Sequence, residues 1–372
     1  MKITHFVENL NRGGLERVVI NLVLAQRAAG HDCRVICLHE AGTLAHELIE
    51  HGVPVDACNK RDGTDLRALM YARRVLRRHG VDILHSHNII AHDHAVLAAL
   101  GLRKDLVINT RHGMGMPPQA NAREWLYRRC MRGTDHIVAV CEAAKRNLIQ
   151  QGHLPADKFV VVPNGIHVER FTAASAQAHR RMTQLLEVSE STRVIGCVGR
   201  LNWAKDLATL IRAFALLRER QADSVLALIG DGSLRQDLVD LAAAEGVAAH
   251  VRFLGDRSDV RELLQGLDVF AMSSVSEGYS IALLEACASA VPIVATGVGG
   301  NAEIVRDGVS GRVVPPRDPR VFAEALFDVL ADLERARAMG RAGREWAFEH
   351  GTFDGMVGRY QALYERRLPK DG

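Results

Sequence analysis

Short apolar runs alternate with longer stretches of helical periodicity along the whole chain. KITHFV (2–7), CRVICL (33–38), VDILHSH (81–87), DLVINT (105–110), DHIVAV (135–140) and FVVVP (159–163) read as strands. After the first of them, Leu15, Val18, Val19 and Leu22 recur at i, i+3, i+4 and i+7, the stripe of one buried helix face. The arginine-rich stretch 67–78 predicts a solvated amphipathic helix. A second series follows: RVIGCVG (193–199), SVLALIG (224–230), VRFLG (251–255), DVFAMSS (268–274) and PIVAT (292–296). Strands this short, apolar and punctuated by glycine belong to parallel sheets covered by helices on both faces. Between the two series, NGIHVERFTAASAQAHRRM (164–182) is polar and of mixed pattern, and a linker is placed near 165–190. FDGMVGRYQALYERRL (353–368) predicts a closing helix.

A chain of 372 residues is too long for one ordinary core, so the two series imply two doubly wound α/β domains. The expected boundaries are 1–170, 171–350 and a closing helix over 351–372. Ligands of such sheets bind at strand C-terminal ends, and a cleft between the domains is the expected site. Hydrophobic content of 48% beside 24% charged residues excludes wholesale disorder. The seven cysteines stand singly with no C-x-x-C pair, which suits a reducing cytosol and offers neither a disulfide framework nor a zinc site. MKITHFVENL begins with a strand-like run rather than an apolar leader, and nowhere do about 18 apolar residues run together. A cytoplasmic protein is the expectation.

Charge is unevenly divided. Residues 1–170 hold 23 Lys+Arg against 17 Asp+Glu, and the remainder 24 against 27. A basic bias in the first part suggests an anionic neighbour such as a phospholipid surface or a phosphate-bearing acceptor. Nucleic acid is not expected, since no basic patch is interleaved with aromatic residues.

Candidate chemistry concentrates where strands pass into helices. In SEGYSIALLE (276–285), Glu277 is expected in a strand-to-helix loop and Glu285 over two turns into the helix, with Gly278, Tyr279, Ser280 and Ile281 between. Helix N-termini offer unpaired N–H groups and a positive dipole end to a phosphate, and two acids at different depths suit two hydroxyl-bearing parts of one ligand. In GRLNWAKDL (199–207), Arg200 and Lys205 straddle a turn and are expected to converge on a diphosphate. Gly13 and Gly14 in NRGGLE (11–16), Gly230 in GDGS (230–233), and Gly299, Gly300 and Glu303 in GVGGNAEI (297–304) stand at similar strand ends. Each glycine pattern alone is equally that of a tight turn. His85 and His87 share a strand face near His92 and His94, but no fixed third ligand is visible, so no metal is assigned. His112, in NTRHGMG, is the better candidate for a hydrogen-bonding role at the cleft.

Together these residues resemble the retaining glycosyltransferases of family 4, which have the GT-B fold. EGYSIALLE looks like that family's E-x7-E signature and GRLNWAKDL like its G-R-L-x-x-x-K segment; GDGSLR, the PNGI step at 163–166 and VGGNAEIVRDGVSGRVVPP (298–316) match as well. The resemblance implies two Rossmann-like domains facing across a cleft, with the C-terminal helix returning toward the first. It implies a hexosyltransferase moving a hexose from a UDP- or GDP-sugar to a glycan, a lipid-linked or a small-molecule acceptor, as in polysaccharide, lipopolysaccharide or exopolysaccharide biosynthesis. Arg200 and Lys205 would hold the diphosphate, Glu277 the transferred sugar and Glu285 the ribose. The N–H groups of Gly278, Tyr279, Ser280 and Ile281 would face sugar and phosphate, and Gly13 and Gly14 would lie beside the diphosphate. His112 would stand near the sugar, and Gly230 and Gly255 near the base. Neither cofactor nor metal is implied. Ser280, Ala290 and Asp206 depart from the glycines frequent at those places, and Ser280 bears on donor identity. Two alternatives use the same scaffold: an inactive binder of a nucleotide sugar or protein partner, and a sugar-nucleotide epimerase or inverting transferase. Arg200, Lys205, Glu277 and Glu285 argue against both. Finally, Met114 and Met116 in GMGMPP (113–118), beside Arg123, Arg128, Arg129 and Arg132, suggest peripheral docking on an anionic bilayer at the inner face of the cell membrane.

Overall fold

The computed structural model describes residues 1–11, 13–63, 65–114, 122–151 and 156–366. It divides into two compact units, Met1–Asn164 with the chain from Asp354 onward, and Gly165–Phe353.

The first unit is built on seven parallel strands: β1 (Lys2–Val7), β2 (Asp32–Cys37), β3 (Val55–Ala57), β4 (Ile83–His87), β5 (Leu106–Arg111), β6 (His136–Ala139) and β7 (Phe159–Val161), in the order β3-β2-β1-β4-β5-β6-β7. Every residue of β4 and β5 is buried, the polar His85, Ser86, His87, Asn109, Thr110 and Arg111 among them, because helices cover both faces of this parallel sheet. One face packs Phe6, Ile36 and Leu84 against Leu76, Ala91 and Ala95. The helix Leu66–His79 buries Ala68, Ala72, Val75 and Leu76 and leaves its arginines outside; Asp65 caps it by accepting from the Arg67 and Ala68 amides. The closing helix, Phe353–Glu365, carries buried Tyr360 and Tyr364 into this unit.

The second unit holds six parallel strands: β8 (Arg193–Val198), β9 (Ser224–Ile229), β10 (Val251–Gly255), β11 (Val269–Met272), β12 (Ile293–Thr296) and β13 (Gly311–Val314), in the order β10-β9-β8-β11-β12-β13. Ile195, Leu210, Phe214, Leu226, Val269, Phe322 and Leu326 form its main core. The polar stretch expected to be a linker is folded here instead. It contains the helix Ala176–Leu186, whose Met182, Thr183 and Leu186 are buried, so the division falls at Asn164/Gly165 rather than inside 165–190. The sparse stripe of that helix escaped the sequence pattern because its other positions are solvated. Strands β3 and β13, of three and four residues, are also absent from the sequence reading.

In each sheet the chain reverses its direction of strand addition at a central pair, β1/β4 in the first and β8/β11 in the second. Loops leaving the C-terminal ends of such a pair diverge to opposite sides, and the crevice they leave is where doubly wound sheets bind ligands. The second of these reversals brings the 199–206 and 273–280 loops side by side.

Candidate active site

Five hydrogen bonds hold those two loops together. Val275 N and Ser276 N donate to Ala204 O at 2.8 and 3.4 Å, and Ser273 Oγ donates to the carbonyls of both Lys205 and Asp206 at 2.9 Å. The fifth is between side chains: Lys205 Nζ meets Glu277 Oε1 at 2.5 Å, with only 19% and 11% of the two side chains exposed. Ser274 Oγ donates to the same carboxylate oxygen at 2.6 Å, so Glu277 is held by a cation and a hydroxyl at once. Behind it, Thr296 Oγ1 donates to Ser274 O at 2.6 Å, and Asn301 Nδ2 to Thr296 O at 3.0 Å. Gly300 N donates to Gly278 O at 2.7 Å. Gly299 has φ +55°, and a Cβ there would overlap the Glu277 carbonyl, so the glycine run after β12 exists to seat the Glu277 loop.

Gly230 plays a related part. Its φ is +129°, and a Cβ would overlap the Gly199 carbonyl; Gly232 makes the same close approach to the Leu201 carbonyl. The glycines of GDGS therefore allow one loop to approach another. Asp206, the departure after the lysine, adopts φ +43° in the left-handed region, the strain that glycine avoids, and its carboxylate accepts from Thr209 Oγ1 at 2.7 Å.

The two cations differ. Lys205 is engaged with Glu277, whereas Arg200 is exposed and makes no side-chain hydrogen bond or ion pair among the described residues. They are not brought onto one protein partner. Past Glu277, Tyr279 and Ser280 are buried, and the helix Ile281–Ala288 begins with Ser280 as N-cap, its Oγ accepting from Leu283 N at 3.4 Å. Glu285 is the fifth helical residue, just over one turn in rather than over two. Burial pushes its carboxyl up to about 7, against a weaker opposing pull from Arg261.

In the first unit, Gly13 is the extended N-cap of the helix Gly14–Ala28, and a Cβ there would overlap the Glu16 carboxylate. His112 Nε2 lies 3.0 Å from His87 Nδ1, and burial brings its imidazole down to about 3. The missing third ring beside His85 and His87 is His5, which the β1–β4 pairing sets directly opposite His85. These three lie close enough to share a cation. Yet all six of their ring nitrogens already have protein partners: Gln26 and His87 for His5, Tyr364 and Thr110 for His85, His5 and His112 for His87. His92 is occupied by Ser86 and Thr134, and His94 Nδ1 by Ile90 O. Ser274, Thr296, His5 and Gln26 were not singled out in the sequence. Ser274 follows β11 and Thr296 ends β12, each beside a motif named above, and that position is their only signal in the sequence.

Comparison with known proteins adds the family. Residues 181–346 match the family model described as glycosyl transferases group 1, and residues 12–170 the one described as glycosyltransferase family 4. The chain is 34% identical over 261 residues to the GDP-mannose-dependent alpha-(1-6)-phosphatidylinositol monomannoside mannosyltransferase of Mycolicibacterium smegmatis, covering 67% of each chain. It is 29% identical over 316 residues to the putative glycosyltransferase EpsD of Bacillus subtilis, covering 82% of each. The crystal structure of Anabaena Alr3699/HepE in complex with UDP and glucose superimposes with a TM-score of 0.87 at 20% identity, over 98% of this chain and all of that one.

Proposed function

The chain belongs to glycosyltransferase family 4, and on that premise we propose that it transfers a hexose from a UDP- or GDP-sugar to a glycan, lipid-linked or small-molecule acceptor with retention of configuration. It is a nucleotide-sugar glycosyltransferase of GT-B fold. The observation that carries the mechanistic reading is the Lys205–Glu277–Ser274 contact at the β8/β11 reversal. A carboxylate oxygen held by an ammonium and a hydroxyl suits hydrogen bonding to sugar hydroxyls better than covalent attack. Glu277 is accordingly a positioning group and not a nucleophile of the glycosidase kind. Arg200 and Lys205 stabilise the diphosphate as the sugar–phosphate bond breaks, and the N–H groups from Gly278 to Ile281 add to that field. The acceptor hydroxyl attacks on the face the nucleotide leaves, and the departing phosphate oxygen takes its proton. In this reading the cations and helix N-terminus supply the charge that a metal would otherwise supply. In the first unit, Gly13 and Gly14 stand for the diphosphate and His112 for the transferred sugar; Gly230 stands for the nucleotide.

The test is a thermal-shift panel of UDP, GDP and their sugars, followed by NMR of the product's anomeric carbon. A ligand at 100-fold its dissociation constant stabilises by about 2.7 kcal/mol, a clear rise in melting temperature. One base that shifts the wild type and neither Lys205→Ala nor Glu285→Ala names the donor class. No shift from any nucleotide would favour the inactive scaffold, and an inverted product would overturn retention.

Glu285 makes the site pH-dependent. Ribose hydroxyls donate to its carboxylate, so only the ionised form binds fully. With the carboxyl near 7, nucleotide affinity is expected to rise about tenfold from pH 6 to pH 8. Titration calorimetry checks this; Glu285→Gln flattens the profile, and a flat wild-type profile would remove Glu285 from the nucleotide site.

Among the described residues no helix is long and apolar enough to cross a membrane. Peripheral contact stays a proposal, resting on exposed Trp125 with Arg129 stacked on it 5.6 Å away and exposed Arg132 beside them. Met116 and the side chains of Arg123 and Arg128 lie outside the described residues. Flotation with anionic liposomes at low salt is expected to carry the protein upward, and a protein left at the bottom would end the idea.

A further inference from the structure

One hydrogen-bonded file runs through the first unit from the closing helix to His112. Gln26 Nε2 donates to Tyr364 Oη at 2.9 Å, and Gln26 Oε1 lies 2.8 Å from His5 Nε2. His5 Nδ1 lies 3.1 Å from His87 Nε2, and His87 Nδ1 lies 3.0 Å from His112 Nε2. A neutral imidazole carries one proton, donating from one nitrogen and accepting at the other. An amide oxygen only accepts. His5 must therefore donate from Nε2 and accept at Nδ1, His87 must do the same, and His112 is left donating from Nε2 with Nδ1 bare. The other branch runs consistently: Tyr364 Oη donates to His85 Nδ1 at 2.8 Å, and His85 Nε2 donates to Thr110 Oγ1 at 2.8 Å.

We propose that Gln26, acting through His5 and His87, locks His112 in the Nε2–H tautomer, so that the ring meets the transferred sugar with Nδ1 as a hydrogen-bond acceptor. The inference rests on the reading of His112 as the sugar-side group. Gln26 is the one member of the file whose two ends differ chemically, and reversing its amide would reverse every bond down to His112. The present direction also gives the Cys33 thiol an acceptor. Its Sγ stands 4.0 Å from Gln26 Oε1, and burial pushes the thiol up to about 12, so it remains a weak donor aimed at the oxygen. Burial also keeps the rings neutral, with His5 down to about 4 and His87 well below its ordinary value. No side-chain partner takes His112 Nδ1 among the described residues. The site then selects a sugar hydroxyl that donates, and His112 is no general acid at neutral pH. Gln26, His5 and His87 are positioning residues.

The test is a long-range proton–nitrogen NMR correlation on the full chain with 15N-labelled histidine. His5, His87 and His112 are expected as Nε2–H tautomers, unchanged between pH 8 and pH 6. Gln26→Leu is expected to turn His112 into a tautomer mixture and lower kcat about tenfold, with donor KM within twofold. Gln26→Glu, whose carboxyl also accepts from His5, is expected to restore the tautomer and most of kcat. The wild-type spectrum decides even if Gln26→Leu does not fold. Finding His112 as Nδ1–H, or unmoved in folded Gln26→Leu, overturns the proposal. So does equimolar Zn2+ shifting the His5, His85 and His87 rings together, which would make the trio a metal site. Full turnover by His112→Ala removes the sugar-side role of His112 whatever the spectrum reads, so the two failures are distinguishable.

Discussion

Replacing Lys205 by alanine is expected to lower transfer about 100- to 1,000-fold, because the substitution removes two interactions. The first is the fixed cation proposed to stand beside the departing diphosphate, and deleting one such pre-placed electrostatic group costs about 3–4 kcal/mol in the transition state. The second is the clamp on Glu277. With Nζ gone from 2.5 Å, that carboxylate keeps, among the described residues, Ser274 Oγ at 2.6 Å, and it is 11% exposed. Stranding one partner of a largely buried pair is costly because its charge has lost water as well as its counter-charge. Lys205→Arg should rescue poorly: a planar fork does not fit where a compact ammonium makes one short contact. Lys205→Met with Glu277→Gln separates the two effects, since it removes the stranded charge and leaves the diphosphate without its cation. Steady-state kinetics beside nucleotide affinity is the measurement. A loss under about threefold for Lys205→Ala would mean that this pair is structural and the chemistry lies elsewhere.

Mild acid is expected to unfold the first unit before the second. His5, His85, His87, His92 and His112 are all held below the ordinary imidazole range, in each case chiefly by burial. The sign follows from proton counting. Below pH 6.5 the unfolded chain binds protons that the fold refuses, so stability is whole above pH 6.5 and is lost as pH falls. Each histidine whose folded value stays below the ambient pH contributes up to about 1.4 kcal/mol per pH unit, and the five act in the same direction. A typical domain is stable by only about 5–15 kcal/mol, so a few such groups matter. Glu285 acts oppositely in the second unit. Its raised carboxyl favours the fold at low pH, and that contribution fades as pH rises from its unfolded value toward 7. Hydrogen exchange after incubation at pH 5 should show amides of β1, β4 and β5 unprotected while β8, β9 and β11 keep protection. Full protection of β4 at pH 4.5 would sink the prediction.

The difference between what was legible and what was not lies in the range of the interactions. Burial is written locally: a parallel strand covered on both faces is largely apolar, so β8 and β11 stand out by composition, and with them the loops that carry Lys205 and Glu277, while β1, β4 and β5 mix apolar residues with buried His, Thr, Ser and Asn. Helix entry is equally local, and Ser280 marks it. Elements too short or too solvated to carry a pattern, β3, β13 and the helix Ala176–Leu186, were lost, and the depth of Glu285 was overestimated because a helix start is fixed by its cap. Only the tertiary structure decided partners. Lys205 reaches Glu277 across 72 positions because β8 lies beside β11, and His5 reaches His87 across 82 because β1 lies beside β4. Strand order is set by how whole sheets and helices pack, and no spacing within a motif records it. For this chain the sequence by itself determined which residues stand at the strand ends and what chemistry they bring. The fold decided which of them touch, because a pairing between distant residues exists only once the sheet that joins them has formed.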